Sequence, residues 1–354
     1  MPAVSDAVWS AQGTTPDAIE AALRELLKER HTENGGYVAA RVLNMVTFVD
    51  SQWSGEIANR LRGVGRYHAS RTIVLSYDPA RERLDAHASV AAAGDPQPGE
   101  LALLRETVVV EIGEHHLDDL VTIVDPLVVS DMPTLLWSPH GHPEEVDALL
   151  ELAQAVLLDS IDEPECREAL ARAETLTRSA YVVDLAWLRS MPWRERIAGT
   201  FDPPGMRPEL AKLAALTVRH HPDSTVAGML LLGWLASRLG WQVSPMVGHE
   251  GALEGNAHAD PQNIALRLEP DPKQEVRGLQ GLTLRTASGL QLSLDRAPGG
   301  LRAHRIRAKD DEHEWTILGA SRGESGVLGE GIRQALLRDP TYAPALRAAK
   351  AMLP

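Results

Sequence analysis

Thirteen histidines in a chain of 354 residues make metal binding the first chemistry to test. His140-Gly141-His142, with Glu144 and Glu145 close behind, could supply two nitrogens and a carboxylate. Pro139 and Pro143 bracket that group as a loop, and no His-Glu-x-x-His spacing places two imidazoles on one helix face. A solvated turn is the better reading. His115-His116 and His220-His221 are adjacent pairs, whose side chains diverge on a strand or a helix alike, so they chelate poorly. His258 with Asp260 is weaker still. The residues predict no metal and no cofactor.

Nucleophiles fare no better. Gly323-Glu324-Ser325-Gly326 lacks the Gly-x-Ser-x-Gly turn that presents a catalytic serine. The single cysteine, Cys166, lies among Asp162, Glu163, Glu165 and Glu168, whose charge disfavours the thiolate; a half-buried helix cysteine is expected. The glycine-rich run Gly323 to Gly331 could offer backbone amides to an anion. It lacks the lysine and hydroxyl of a P-loop and the Rossmann spacing, so it reads as a loop and helix entry.

Two clusters remain. His68-Ala69-Ser70-Arg71 precedes a strand, where Ser70 and Arg71 could hold a phosphate or could serve as cap and ion pair. The second runs from Asp184 to Arg196 and contains Trp187, Arg189, Trp193, Arg194 and Arg196. Tryptophan and arginine dominate interface energetics, so Asp184, Trp187, Arg189, Trp193, Arg194 and Arg196 form a candidate partner-binding set. The same residues suit, slightly better, an interior in which the indoles pack and the arginines pair with carboxylates.

The elements that must position these groups follow from pattern. Thr15-Pro16 opens a helix carrying Ile19, Leu23, Leu26 and Leu27, which Gly35-Gly36 stops. Val42 to Val49 is a nearly continuous apolar run, as expected of a strand covered on both faces. A helix with Ile57, Leu61 and Val64 leads to a strand at Arg71 to Tyr77, which suggests a parallel pair. Leu84 to Val90 alternates as an exposed or edge strand would, and Gly94 to Gly99 is a loop. Arg105 to Ile112, Thr134 to Trp137 and Ala155 to Leu158 read as further strands, the last closing the sheet.

After Pro164 the character changes to helices at Glu165 to Arg178, Pro192 to Phe201 and Thr225 to Leu239. Hairpin-spaced strands follow at Ile264 to Leu268, Leu282 to Ala287, Leu290 to Asp295, Ala303 to Ile306 and Glu314 to Leu318. Two helices, Gly326 to Leu337 and Ala343 to Met352, close the chain. The fold class expected is α/β: a mostly parallel α/β domain over 1–163, then an α+β domain with a mixed or antiparallel sheet over 164–354.

With 44% hydrophobic and 24% charged residues, both domains should fold. A net charge of -14 disfavours nucleic acid and anionic membrane as partners. One cysteine allows no internal disulfide, Met1 to Ser10 has no signal-peptide pattern, and Val226 to Ala236 is too short to span a bilayer. A cytoplasmic location is expected.

Taken in order, several segments resemble the glucose-6-phosphate dehydrogenase assembly protein family (OpcA) of actinobacteria and cyanobacteria. They are Arg41-Val42-Leu43-Asn44-Met45-Val46, His68-Ala69-Ser70-Arg71-Thr72-Ile73-Val74-Leu75, Leu127 to Trp137, Leu157-Leu158-Asp159-Ser160 and Asp184-Leu185-Ala186-Trp187. Pro192-Trp193-Arg194-Glu195, Phe201-Asp202-Pro203, Leu232 to Trp241 and Asp339-Pro340-Thr341-Tyr342-Ala343-Pro344-Ala345-Leu346 complete the series. Ala69, where the family usually has proline, and Ser138, where an aromatic often stands, are departures. The resemblance implies a non-catalytic partner that binds glucose-6-phosphate dehydrogenase and promotes its assembly or activity, feeding NADPH production in the oxidative pentose phosphate pathway. The competing expectation is a cytosolic sugar-phosphate-binding or sugar-phosphate-processing protein, motivated by Ser70, Arg71 and the glycine-rich run.

Overall fold

The computed structural model describes residues 7–34, 37–38, 41–64, 70–92, 102–308, 311–318 and 323–354. His68, Ala69, the Gly35-Gly36 stop and the Gly94 to Gly99 loop lie outside these residues. Two compact units emerge, each assembled from three chain segments. The first comprises Met1–Leu158, Ser179–Val183 and Leu328–Leu337; the second comprises Asp159–Arg178, Asp184–Val327 and Arg338–Pro354.

In the first unit the strands are β1 (Ala7–Ala11), β2 (Tyr37–Val38), β3 (Leu43–Asp50), β4 (Ser70–Tyr77), β5 (Asp85–Ala92), β6 (Ala102–Ile112), β7 (Thr134–Trp137), β8 (Ala155–Leu158) and β9 (Tyr181–Asp184). Their order is β1-β5-β6-β4-β3-β7-β8-β9, with β2 beside β6. The pairs β3–β4, β4–β6, β3–β7 and β7–β8 are parallel, which gives the mostly parallel sheet expected. Helices α1 (Pro16–Asn34), α2 (Ser51–Val64), α3 (Leu120–Val124) and α4 (Pro143–Ala148) accompany it. Thr15 Oγ1 accepts from Ala18 N at 3.3 Å, the cap that the Thr-Pro pair predicts. Leu43 to Val49 are all buried, because parallel strands with crossovers lose both faces to neighbours.

Two expectations about this sheet need correction. The Leu84–Val90 stretch is no edge: β5 lies between β1 and β6, antiparallel to both, and its alternation arises from one buried face carrying Ala86, Ala88 and Val90. Nor does β8 end the sheet. β9 follows it in order, after the intervening helix α5 (Cys166–Leu176).

The second unit adds helices α6 (Leu185–Arg189), α7 (Met191–Phe201), α8 (Arg207–Leu210) and α9 (Thr225–Leu239). Its strands are β10 (Leu213–His220), β11 (Gln242–Val243), β12 (Val247–His249), β13 (Ala252–Ala259), β14 (Gln262–Pro270), β15 (Leu279–Thr286), β16 (Gln291–Ala297), β17 (Gly300–Ala308) and β18 (Asp311–Leu318). The order is β11-β13-β14-β10-β15-β16-β17-β18, with β12 beside β13. Only the central β10–β14 pair among those registered is parallel, so the sheet is mixed and mostly antiparallel. β13 escapes the sequence reading because Ala252-Leu-Glu-Gly-Asn-Ala-His-Ala has almost no strand-forming residues.

Helix α10 (Gly323–Leu337) begins at Gly323 itself, so the glycine-rich run lies within a helix and not ahead of one. The terminal helix α11 (Tyr342–Ala351) packs on α9 through Gly233, where an added Cβ would stand 2.2 Å from Ala345 O. No helix of the described residues is long and apolar enough to cross a membrane.

Candidate functional site

The Asp184–Arg196 segment follows β9 directly. Asp184 caps α6: its Oδ1 accepts from Ala186 N at 2.9 Å and from Ser160 N at 3.2 Å. Its Oδ2 accepts from the Tyr342 hydroxyl at 3.0 Å. Burial pushes the Asp184 carboxyl up to about 6, with Asp159 adding to the rise.

One turn on, the Trp187 indole nitrogen donates to Asp339 Oδ2 at 2.9 Å, and its ring meets Tyr342 edge-on at 5.6 Å between centroids. Arg194 lies over the Trp187 ring: its guanidinium carbon is 3.6 Å from the centroid, a cation–π distance. Arg194 also donates through Nε to Ser190 Oγ at 3.1 Å and through Nη2 to Trp187 O at 3.2 Å, with Asp339 3.8 Å from Nη1. Burial pulls Arg194 down to about 10 against the opposing pull of Asp339. Burial would raise Asp339, but hydrogen bonds from Thr341 and Trp187 and the charge of Arg194 hold it below the usual carboxylate range.

Of the six candidate partner-binding residues, four are therefore interior: Asp184, Trp187, Trp193 and Arg194 are each no more than 9% exposed. Arg189 and Arg196 are half-buried. Arg189 is held by Asp159 at 2.7 Å and bidentately by Glu324, at 3.2 Å from Nε and 2.8 Å from Nη2. Arg196 Nε is buried without a hydrogen-bond partner. Sequence reasoning left Asp339 and Tyr342 out of the site. Their signal was the Asp339-Pro-Thr-Tyr stretch, but nothing local ties that stretch to Trp187.

Arg71 is 3% exposed and already engaged. Its Nε donates to Glu106 Oε2 at 2.7 Å, and its Nη1 donates to Glu20 Oε2 at 2.6 Å and to Leu127 O at 2.9 Å. Arg41 pairs with the other oxygen of Glu106. An incoming phosphate would have to displace two carboxylates from Arg71, and Ser70 Oγ is turned towards Thr72 Oγ1 at 3.4 Å. Asn44, fully buried, does similar fastening. It donates to Val129 O at 3.0 Å and accepts from Val129 N at 2.9 Å, pinning the segment that leads into β7.

The strand order reverses at β3, between β4 and β7, where ligands sit in many open parallel sheets. His142, held at φ 57°, fills that edge: its ring centroid lies 4.8 Å from Phe48, and its Nε2 is 3.2 Å from Asp50 Oδ1. Tyr77 donates to Glu114, which pushes its phenol up to about 12. His140 stacks on Trp53 at 5.3 Å. The His140–His142 turn is thus solvated as expected at His140 and Gly141, which are exposed, while His142 packs inward. No group of three or more described His, Cys, Asp or Glu residues is arranged to hold a metal ion. Burial pushes the Cys166 thiol up to about 12, a larger effect than the acidic neighbours.

These arrangements define a two-unit α/β protein whose motif residues fasten its own framework. The chain belongs to the glucose-6-phosphate dehydrogenase subunit family: residues 62–175 match that family's N-terminal domain and residues 180–346 its C-terminal domain. It is 28% identical over 199 residues to a protein of Synechococcus elongatus provisionally named OxPP cycle protein OpcA, covering 53% of this chain and 43% of the relative. A namesake from Nostoc punctiforme is 30% identical over 124 residues, or 34% of this chain and 27% of the relative. The matched stretches thus span less than half of these relatives' lengths. Among solved structures, the YvaA oxidoreductase of Bacillus subtilis aligns over 88% of this chain and 95% of its own at 13% identity and a TM-score of 0.48. The MviM dehydrogenase of Clostridium difficile aligns over 87% and 96% at 8% identity and a TM-score of 0.46. Likeness of that degree assigns neither cofactor nor reaction.

Proposed function

We propose that this chain binds glucose-6-phosphate dehydrogenase and promotes its active form without turning over substrate itself. The observation that carries the reading is the match of both halves to the two domains of a family described as a subunit of that enzyme. The geometry supports it: Arg71, Arg189 and Arg194, the cations best placed for chemistry, are engaged by the protein's own carboxylates, hydroxyl and carbonyl. An activator acts only if it prefers the active enzyme form, because equal affinity for both forms shifts no equilibrium.

The test is to mix the purified chain with the dehydrogenase of the same genome, then measure co-elution by size and the steady-state rate. A saturable rise in activity with a shared elution peak is expected. Separate peaks and unchanged kinetics at micromolar protein would remove the reading. A thermal-shift screen with sugar phosphates tests the competing expectation; strong stabilisation without the enzyme would favour it.

A further inference from the structure

We infer that the polar face of the second sheet is the surface that docks onto the dehydrogenase; this rests on the function proposed above. The two faces of that sheet differ sharply. Leu268, Val218, Leu282, Leu294 and Ala303 form a cross-strand row on one face, and each is at most 1% exposed. On the opposite face, the registers align Arg267, Thr217, Thr283, Ser293, His304 and Glu314 in one row from β14 to β18. Every member of this second row is half-exposed or exposed, so no described element covers it.

Its chemistry suits a folded partner and not bulk solvent alone. Thr217, Thr283 and Ser293 keep the middle of the row short, and beside it the Arg219–Asp295 ion pair, 2.7 Å long, lies over Gly281, where a Cβ would stand 2.4 Å from Arg219 Nη2. Charge is balanced locally. Arg267 pairs with Glu254 and Arg302 with Glu314 at 3.8 Å, and His304 Nε2 lies 2.6 Å from Glu312 Oε1. A chain of net charge -14 repels acidic proteins at long range, and a face whose charges are paired adds little to that repulsion.

Size also fits. Six strands about 4.8 Å apart carrying three side-chain rows about 7 Å apart present about 600 Å², approaching the roughly 800 Å² per partner of a standard interface. At one end of the face a concavity of about 500 Å³ opens between Ala215, Ala265, Asn256, Pro245 and Val247. Val247 is 68% exposed, so the concavity has an apolar lip fit to receive one anchoring side chain of the partner.

The experiment measures binding of the full chain to the dehydrogenase of the same genome, by light scattering after size separation and by titration. It compares the native chain with Thr283→Arg/Ser293→Arg, at the centre of the face, and with Ala265→Trp, which fills the concavity from an exposed position and should leave folding intact. The expected result is binding by the native chain and at least tenfold weaker binding by both variants at unchanged circular dichroism. Native-strength binding by Ala265→Trp and by a folded double variant would overturn the assignment of this face while leaving the proposed function standing. Failure of the native chain to bind would overturn both. If the native chain instead self-associates and the variants abolish that, the face belongs to a second copy and the inference fails.

Discussion

Trp187 and Asp339 are joined by an indole hydrogen bond of 2.9 Å across 152 residues of sequence. The bond ties α6 to the entrance of α11, and Arg194 and Tyr342 close around it.

Asp339→Ala should destabilise the protein by about 1–3 kcal/mol, because it leaves the buried Trp187 N–H without its acceptor and removes the carboxylate beside Arg194. Urea denaturation checks this. A double-mutant cycle with Trp187→Phe should show coupling of about 1 kcal/mol or more, and strictly additive effects would mean that the bond contributes nothing.

Trp193→Ala with Arg194→Ala should lower the melting temperature substantially. Trp193 is 3% exposed, and truncating a buried tryptophan costs about 3–5 kcal/mol. The sequence alone would let this pair weaken partner binding at unchanged melting temperature; burial reverses that expectation. A scanning calorimetry trace matching the native chain's would contradict the packing described.

The raised carboxyl of Asp184 carries a pH signature. Its folded value of about 6 exceeds its ordinary 3.8, so the folded state holds the proton more tightly than the unfolded state. The resulting stability is fully present below about pH 4 and is lost as pH rises through about 6. Asp184→Asn removes that loss, so the variant should gain roughly 2–3 kcal/mol relative to the native chain between pH 4 and pH 7. Denaturant midpoints across that range measure the difference, and parallel curves for the two proteins would refute it.

Gly233→Ala should destabilise the second unit, although glycine to alanine within a helix ordinarily stabilises by about 1 kcal/mol. The added methyl would meet Ala345 O at 2.2 Å, and a backbone carbonyl in a packed helix pair cannot step aside cheaply. A midpoint equal to or above the native one would show that α9 and α11 have room to separate.

Much of the framework was legible in the residues. Strand β3 announces itself through its nearly continuous apolar run, α1 through its Thr15-Pro16 start, and the strands after Gln262 through their turn spacing. β13 was not legible, because its alanines, glycine and asparagine take strand form only through pairing with β14. The role of the Asp184–Arg196 cluster was not legible either. Tryptophan and arginine serve interiors and interfaces through the same apolar area and the same planar donors.

What the amino-acid order determined alone is local: where helices start, which runs are buried on both faces, and which family the motif series resembles. Those depend on side-chain period and on caps within a few residues. The tertiary structure decided which residues share a neighbourhood. It set Asp339 against Trp187, gave Arg71 two carboxylates from distant elements, and left one face of the second sheet uncovered by any described element. Those outcomes follow from strand order and helix packing, where the contacts that fix a charge or bury an indole come from segments far apart in the chain.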